Sequence, residues 1–238
     1  VLNLSLVQAQ KNSLNVNADR LTTQLKKLST FGMNEKGGND RVAFSDYDIQ
    51  ARSYLSNYLK DLGLKVYTDA AGNLIAKREG KKNSLSPIVF GSHIDAVPNG
   101  GHYDGDVGVM GGIEVLETLI ENNIQTKHPL ELIIFSNEEG AIFGSRALAG
   151  KIDQATLEVQ TASGYTNGEG ITRIGGDPEK VSVFNQDLKD YPRNGWSYYG
   201  LYKAYKALNK AELSNEALTK HVEIWQMSDI ELKSSIIY

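Results

Sequence analysis

Ile88-Val-Phe-Gly-Ser-His-Ile-Asp95 and Leu132-Ile-Ile-Phe-Ser-Asn-Glu-Glu-Gly140 set the architecture of this chain. In both segments a short apolar run stops at imidazole or carboxylate side chains. Buried strands of an open α/β sheet end in this way, because the reactive side chains of such sheets stand at the carboxyl ends of the strands. The segment 108–123 between them has the apolar spacing of a helix. We therefore expect the functional site where the two strands end.

The other elements predicted before residue 181 fit the same architecture. Ser45 is a capping residue for a helix that Gly63 stops, and Ala70-Ala-Gly is a turn between two strands. The predicted helices are 15–28, 45–62 and 108–123, and the predicted strands are 64–69, 73–78, 86–92 and 130–136, of which 86–92 is expected to be buried. This order predicts an α/β layered domain over residues 13–181.

The amino-acid composition changes near residues 181–183. Residues 182–238 are rich in Lys, Tyr, Leu and Ala, and two helical stretches, about 196–208 and 215–227, predict a helical hairpin. The segment from Asp187 through Trp196 to Leu201 resembles, in part, the last repeat of tetratricopeptide proteins. At the other end, residues 1–12 fit either the tail of a secretory signal or a frayed amphipathic start. Secreted, periplasmic and cytoplasmic locations therefore all stay open.

Composition narrows the function classes. The chain has 238 residues with 40% hydrophobic and 23% charged residues, which is typical of a globular protein. A formal net charge of −4 gives no electrostatic argument for nucleic acid or an anionic membrane as a partner, and no apolar run reaches the ~18 residues of a membrane span. Since the chain has no cysteine and four histidines, any metal must be held by imidazole and carboxylate groups, which suits zinc, manganese or cobalt.

His93 and Asp95 stand two residues apart just past a predicted strand, so in an extended segment both point to the same side. A carboxylate there can accept the second ring N–H of a metal-bound histidine. Asp104 follows across a Pro98-Asn-Gly-Gly turn that can fold it back to the same place, where its two oxygens could bridge two cations.

Glu138 and Glu139 are adjacent at the end of the second strand. One of them can bind a metal while the other stays free as a general base. Each of these residues alone has an ordinary explanation: His93 as a core or loop histidine, Asp104-Gly105 as a turn, and the two glutamates as a solvated pair. Their combination at successive strand ends favours a metallohydrolase site.

Two pairs of motifs carry a family resemblance. They are Gly91-Ser-His-Ile-Asp-Ala-Val-Pro-Asn-Gly-Gly with Tyr103-Asp-Gly, and Phe135-Ser-Asn-Glu-Glu-Gly with Phe143-Gly-Ser-Arg-Ala-Leu-Ala-Gly. Over residues 13–181 the chain closely resembles the amidase/hydantoinase/carbamoylase family, which belongs to the di-zinc aminoacylase and carboxypeptidase-like clan. The resemblance implies the N-terminal half of a zinc-exopeptidase-like three-layer α/β/α domain, followed by the helical hairpin.

The resemblance also implies roles for single residues. His93 would bind one of two divalent metals (zinc, or manganese or cobalt), Asp104 would bridge both, and Glu139 would bind the second. Glu138 would be the general base, and Asp95 would hold the His93 ring. The implied reaction is hydrolysis of a non-peptide C–N bond in a linear amide or ureido compound, such as an N-carbamoyl amino acid or allantoate.

The chain departs from the family pattern in its second half. Family members are longer, supply two further His ligands and carry a lid and dimerisation domain that makes them homodimers. Without those ligands each metal would have fewer protein ligands than the usual three of catalytic zinc. Two alternatives therefore stay open, a metalloexopeptidase and a catalytically inactive scaffold that binds a partner through exposed aromatic residues, namely Trp196, Tyr198, Tyr199 and Trp225.

The other three histidines are weaker candidates. His221 could replace a missing ligand, although a surface histidine on a helix is the commoner case. His102 and His128 stand in predicted loops and are expected to be solvated.

Overall fold

The computed structural model describes residues 14–181, 198, 199, 201, 202, 205, 206 and 211–225, without the side chains of Gln154 and Trp225. The predicted signal segment 1–12 therefore lies outside the described residues. The helices are α1 (Ala18–Ser29), α2 (Asp46–Asp61), α3 (Asp106–Glu121), α4 (Glu138–Ala141), α5 (Phe143–Leu148), α6 (Gln154–Leu157), α7 (Asn167–Arg173), α8 (Pro178–Val181) and α9 (Ala211–Trp225). None of the described helices is long and apolar enough to cross a membrane.

Helix starts follow the local chemistry of the sequence. The Ser45 side chain accepts the main-chain N–H of Asp48 at the start of α2, as predicted, and Asn17 does the same for Arg20 in α1. Such side chains satisfy donors that have no partner within the helix. Gly63 follows the end of α2 with φ +79°, which glycine adopts without steric cost.

The sheet has four described strands in the spatial order β1–β2–β4–β3, namely β1 (Lys65–Thr68), β2 (Leu74–Arg78), β3 (Ile88–His93) and β4 (Leu130–Phe135). The hairpin strands β1 and β2 are antiparallel, β2 is antiparallel to β4, and β3 is parallel to β4. β3 and β4 are parallel, and His93 lies opposite Phe135. The carboxyl ends of the two strands therefore lie side by side.

α3 crosses from β3 to β4 and packs closely on both. A Cβ at Gly108 would lie 2.7 Å from Cβ of Ser92, and one at Gly112 would lie 2.8 Å from Cδ1 of Leu132. The main core forms where α1, α2 and α3 cover the sheet. Its fully buried members include Leu28, Leu55, Leu59, Leu116, Leu132 and Ile134. A second buried cluster, around Phe44, Phe143 and Ile171, joins the segment before α2 to α5 and α7.

Three predictions about burial are wrong. β3 lies at the edge of the described sheet, and Ile88 and Val89 are 53% and 51% exposed, because no described strand pairs with its outer side. His221 in α9 is buried rather than on the surface, with its ring centre 5.0 Å from that of Tyr199, which is itself buried rather than exposed. Trp196 and the side chain of Trp225 lie outside the described residues.

Candidate active site

The ends of β3 and β4 bring the first group of predicted residues together. After β4, Asn137 turns the chain with φ +44°, and α4 begins at Glu138. The Asp95 carboxylate, just past β3, accepts the main-chain N–H of Glu138 at 3.2 Å and that of Glu139 at 3.0 Å. Asp95 therefore fixes the start of α4 against the end of β3.

His93 is buried between the two strand ends. Its Nε2 lies 3.5 Å from Oε2 of Glu138. Its Nδ1 lies 3.0 Å from the main-chain oxygen of Asp95 and 3.7 Å from the Oδ1 atom of that residue. The hydrogen-bond partner of Nδ1 is therefore the carbonyl of Asp95, whereas the sequence suggested its carboxylate.

Gly105 places Asp104, the residue before it, close to His93. It has φ +68°, and a Cβ there would lie 2.6 Å from Nε2 of His93, so only glycine allows this approach to the ring. Asp104 directly precedes it. The negative charges of Asp104 and Glu138 and the imidazole of His93 all act on Glu139, so these four side chains share one electrostatic environment.

Burial dominates the acid–base properties of this region. Burial raises the pKa of Glu139, and the charges of Asp104 and Glu138 raise it further, whereas His93 lowers it. Burial, together with the negative charge of Asp48, raises the pKa of Asp95 to about 6 against the lowering effect of His93. Asp48 is fully enclosed, burial raises its pKa, and its Oδ1 atom has no hydrogen-bond partner among the described residues.

Arg41 stabilises the segments that carry the candidate site residues. Its guanidinium donates to both Asp106 oxygens at 2.8 and 2.6 Å, and to the main-chain oxygens of Ile94, Leu28 and Phe31. It thereby ties the end of α1, the end of β3 and the start of α3 to one another. Sequence reasoning missed Arg41, and its place in front of the apolar residues Val42-Ala-Phe44 was the only local signal.

Two loops, residues 37–40 and 99–102, are hydrogen-bonded to each other just before Asp104. Asn39 and Gly100 exchange two main-chain hydrogen bonds at 3.0 and 2.8 Å, and Asn99 N–H donates to Asp40 at 2.7 Å. His102 Nε2 lies 2.8 Å from the main-chain oxygen of Gly37, while its Nδ1 is a buried atom without a described partner. His102 lies in a loop as predicted, and its half-buried ring joins the two loops.

The donor types suit a divalent metal, but the described set is incomplete. Imidazole and carboxylate groups are the ligands that zinc takes in the absence of cysteine. Within the described parts of the chain, however, no three His, Asp or Glu residues are placed to hold one ion. His128 is not part of this site, because its Nδ1 lies 2.8 Å from the Ser86 carbonyl, near the start of β3, whereas His93 ends that strand. His221 packs on Tyr199 in the C-terminal helices.

The sequence of this chain matches the model of a known protein family. A model of the peptidase family M20/M25/M40 matches residues 89–227, more than half of the 238 residues. The chain belongs to this family. The match to M20/M25/M40 peptidases includes His93, Asp95, Asp104, Glu138 and Glu139, and it continues past the predicted boundary near residue 181. The likeness of the last residues to tetratricopeptide repeats stays a prediction.

The individual relatives that this chain resembles are hydrolases by name. The chain is 38% identical over 171 residues to an N-carbamoyl-L-amino acid amidohydrolase of Geobacillus stearothermophilus, covering 70% of this chain and 42% of that protein. It is 37% identical over 200 residues to a ureidoglycolate hydrolase of Arabidopsis thaliana, covering 83% of this chain and 42% of that one. The chain thus spans about two fifths of the length of these relatives.

Solved structures give the same result for the fold. A hydantoinase/carbamoylase family amidase from Burkholderia ambifaria superimposes with a TM-score of 0.65 at 36% identity, covering 69% of this chain and 42% of that one. The α/β class expected from the sequence is confirmed by this likeness. It is also confirmed by the mixed parallel and antiparallel sheet of this member of the M20/M25/M40 family.

Proposed function

We propose that this chain carries one half of the active site of a metal-dependent amidohydrolase, which cleaves a C–N bond of a linear ureido or carbamoyl compound. The observation that supports this most directly is the Asp95 carboxylate, which ties Glu138 and Glu139 to the strand end that carries His93. The names of the relatives support the substrate class, because they act on N-carbamoyl amino acids and ureidoglycolate.

In this proposal His93, Asp104 and Glu139 are the ligands that this chain contributes to two divalent metals, zinc or else manganese or cobalt. A bound metal would act as a Lewis acid toward the carbonyl group and lower the pKa of water. Further ligands would have to come from outside the described residues, because no three of the described residues are placed to hold a single ion. Zinc as the metal and the number of ions belong to the proposal.

Glu138 is the proposed general base. Its carboxylate is one third exposed and its neighbours are His93 and Glu139, so it can meet both water and substrate. It would take a proton from the attacking water and return that proton to the leaving nitrogen. Asp95 does not touch the substrate in this scheme; it holds α4 so that Glu138 faces His93.

Release of ammonia from N-carbamoyl amino acids by the purified chain, supplied with zinc or manganese, tests the proposal. Release of amine from dipeptides instead would identify a metalloexopeptidase. We expect Glu138→Gln to abolish turnover while the bound metal, measured by elemental analysis, is unchanged. Glu158→Gln, an exposed glutamate away from the site, is the matched control and should keep full activity. Full activity of Glu138→Gln would refute the role of Glu138.

The incomplete ligand set favours a second candidate, a catalytically inactive interaction module. Metal analysis separates the two candidates. Two equivalents of zinc or manganese in the purified chain support the hydrolase, whereas no bound metal and no ammonia release support the interaction module.

A further inference from the structure

The turn from β4 into α4 decides where the two candidate glutamates point. Its residue Asn137 has the left-handed φ of +44° directly before Glu138, the first residue of α4. Residues with a side chain rarely adopt this conformation, and asparagine is one of the few that accept it. Asn137 is also almost completely buried, with 4% of the residue exposed. The interior contacts of its side chain therefore decide how firmly the turn is held.

The main chain on either side of the turn is fixed by neighbouring elements. The side-chain oxygen of Asn73, just before β2, accepts the main-chain N–H of Ser136 at 3.0 Å. The Ser136 hydroxyl donates to the Ala71 carbonyl at 2.6 Å. The carbonyl of Asn137 accepts the main-chain N–H of Phe143, the first residue of α5, at 3.0 Å. These bonds hold the chain before and after the turn, and the side chain of Asn137 is held by a different element.

α7 supplies the partner of the Asn137 side chain. The amide nitrogen of Asn137 donates to Oδ1 of Asn167 at 2.7 Å, and Asn167 is fully buried. The Asn167 amide nitrogen donates in turn to the Thr156 carbonyl at 2.9 Å. Because a carbonyl can only accept, Thr156 sets the orientation of the Asn167 amide and leaves its Oδ1 for Asn137. The main-chain N–H of Asn167 donates to the Val159 carbonyl at 3.0 Å, so Asn167 is itself firmly placed.

The Asn137 amide also lies against α4. A Cβ at Gly140 would lie 2.4 Å from Oδ1 of Asn137, so glycine leaves the room that the amide occupies. Gly140 belongs to the same short helix as the two candidate glutamates. The Asn137 side chain therefore lies between α4 and Asn167. Since Asp95 accepts the first two N–H groups of α4 from the end of β3, the helix is held from two sides.

We propose that Asn167 is a positioning residue of the candidate active site. Through its bond to Asn137 it fixes the left-handed turn, and with it the direction of Glu138 and Glu139. The catalytic consequence rests on the proposed function, because the direction of Glu138 matters for turnover only if Glu138 is the base. Leucine at position 167 would leave the Asn137 amide nitrogen buried without its acceptor, so the turn should open more often.

Amide hydrogen exchange of the metal-free chain, followed residue by residue by NMR, tests the positioning role. In Asn167→Leu the N–H groups of Glu138 and Glu139 should exchange about tenfold faster, because an unsatisfied buried donor weakens the closed turn by that order. Asn122→Leu is the control, since it removes a similar bond, to the Thr118 carbonyl at 2.8 Å, at the other end of α3. It should leave the exchange of both glutamates unchanged. Unchanged exchange in Asn167→Leu overturns the proposal.

Asn137→Gly separates positioning from general destabilisation. Glycine adopts the left-handed φ without steric cost and removes the amide that Asn167 holds. By itself it should speed the exchange of the two glutamates about fivefold, so it tests the role even if Asn167→Leu does not fold. In the Asn137→Gly background, Asn167→Leu should add less than about twofold. Unchanged exchange in Asn137→Gly, or equal acceleration by Asn167→Leu in both backgrounds, shows that Asn167 does not act through Asn137.

Turnover gives a second readout, which depends on the proposed function. With zinc or manganese supplied, Asn167→Leu should lower kcat for ammonia release from an N-carbamoyl amino acid about tenfold and change KM less than about twofold. A misdirected base weakens the transition state rather than substrate binding, so a higher KM with unchanged kcat contradicts the positioning of Glu138. If the wild-type chain releases no ammonia, the proposed function fails, and hydrogen exchange alone decides the role of Asn167.

Discussion

At the scale of single residues, buried charge is the feature with the largest consequences. Arg41 and Asp106 form an ion pair in which both side chains are 1% exposed, and Arg41 also satisfies three main-chain carbonyls. Burial raises the pKa of Asp106 to about 6, against the lowering effect of Arg41. The pair is therefore held by its geometry, since each charge would be costly in this place without the other.

We predict that Arg41→Met destabilises the fold by about 3–5 kcal/mol, because it leaves the Asp106 carboxylate buried without its partner. Urea unfolding followed by circular dichroism measures the change. Arg173→Met is the matched control: Arg173 pairs at 2.7 Å with Asp46, which is largely exposed, so its loss should cost about 1 kcal/mol or less. Equal losses in the two variants would contradict the prediction.

Asp69 gives a prediction for pH. Burial raises its pKa to about 6, although Asn73 donates two hydrogen bonds to it at 2.8 Å. In the unfolded chain the pKa of an aspartate is about 3.9, so between these values the folded state binds more protons. The stabilisation from this protonation is complete below about pH 4 and is lost as the pH rises through 6.

We therefore predict that Asp69→Asn reduces the fall in unfolding free energy between about pH 4.5 and 7, as measured by urea titrations at several pH values. Asp95 and Asp106, whose pKa values are also raised to about 6, keep part of that fall in the variant. Asp153→Asn is the control, because Asp153 is exposed and its bonds to Thr156 lower its pKa. If Asp69→Asn has the same pH dependence as the wild type, Asp69 is not the titrating group.

At the scale of elements, close packing depends on glycine at specific helix positions. α7 starts with a capping box between Thr166 and Glu169 and packs on the segment before α2. A Cβ at Gly170 would lie 2.1 Å from Cδ2 of the fully buried Phe44 ring. Gly168 in the same helix is different, since a Cβ there would lie 3.4 Å from its nearest neighbour, the Leu157 carbonyl.

We predict that Gly170→Ala lowers the free energy of unfolding by about 1–3 kcal/mol, because the new methyl group overpacks the Phe44 cluster. Gly168→Ala should change it by less than about 1 kcal/mol, since the same substitution meets only ordinary contact there. Thermal unfolding of the two variants side by side measures the difference. A Gly170→Ala protein as stable as Gly168→Ala would show that α7 can move away from Phe44.

β3 illustrates how an element can be predicted correctly and its surroundings wrongly. Its apolar residues on successive positions are typical of a strand with neighbours on both sides. The strand exists, but only β4 pairs with it among the described strands. Local sequence specifies the strand, whereas the strands that pair with it are set by residues distant in sequence, as β4 is here.

At the scale of the whole molecule, the described cores end at Val181. Both buried clusters contain residues from 28 to 181 only, and the buried residues Tyr199, Leu201 and Ala217 belong to neither. The domain boundary expected near residues 181–183 stays a prediction, and the family model continues past it to residue 227. The division into an α/β unit and a helical unit is therefore a proposal that can be tested.

We predict that residues 1–181 fold without residues 182–238 and lose less than about 1 kcal/mol of stability, because no described core residue of the α/β unit is removed. Urea unfolding of the two chains under the same conditions compares them. A large loss of stability, or loss of cooperative unfolding, would show that the C-terminal helices belong to the α/β unit.

The sequence by itself determined the main helices and strands and their order, and it supplied the candidate site residues. Period, caps and turn residues act over a few neighbouring positions, so they are written in local sequence, as at Ser45, Gly63 and the Glu138-Glu139 pair. Only the tertiary structure decided what those residues meet: the Asp95 carbonyl beside His93, the three segments that the Arg41 guanidinium joins, and the pairing of β3 with β4. These contacts join residues far apart along the chain, and their energy depends on burial, which no local pattern specifies.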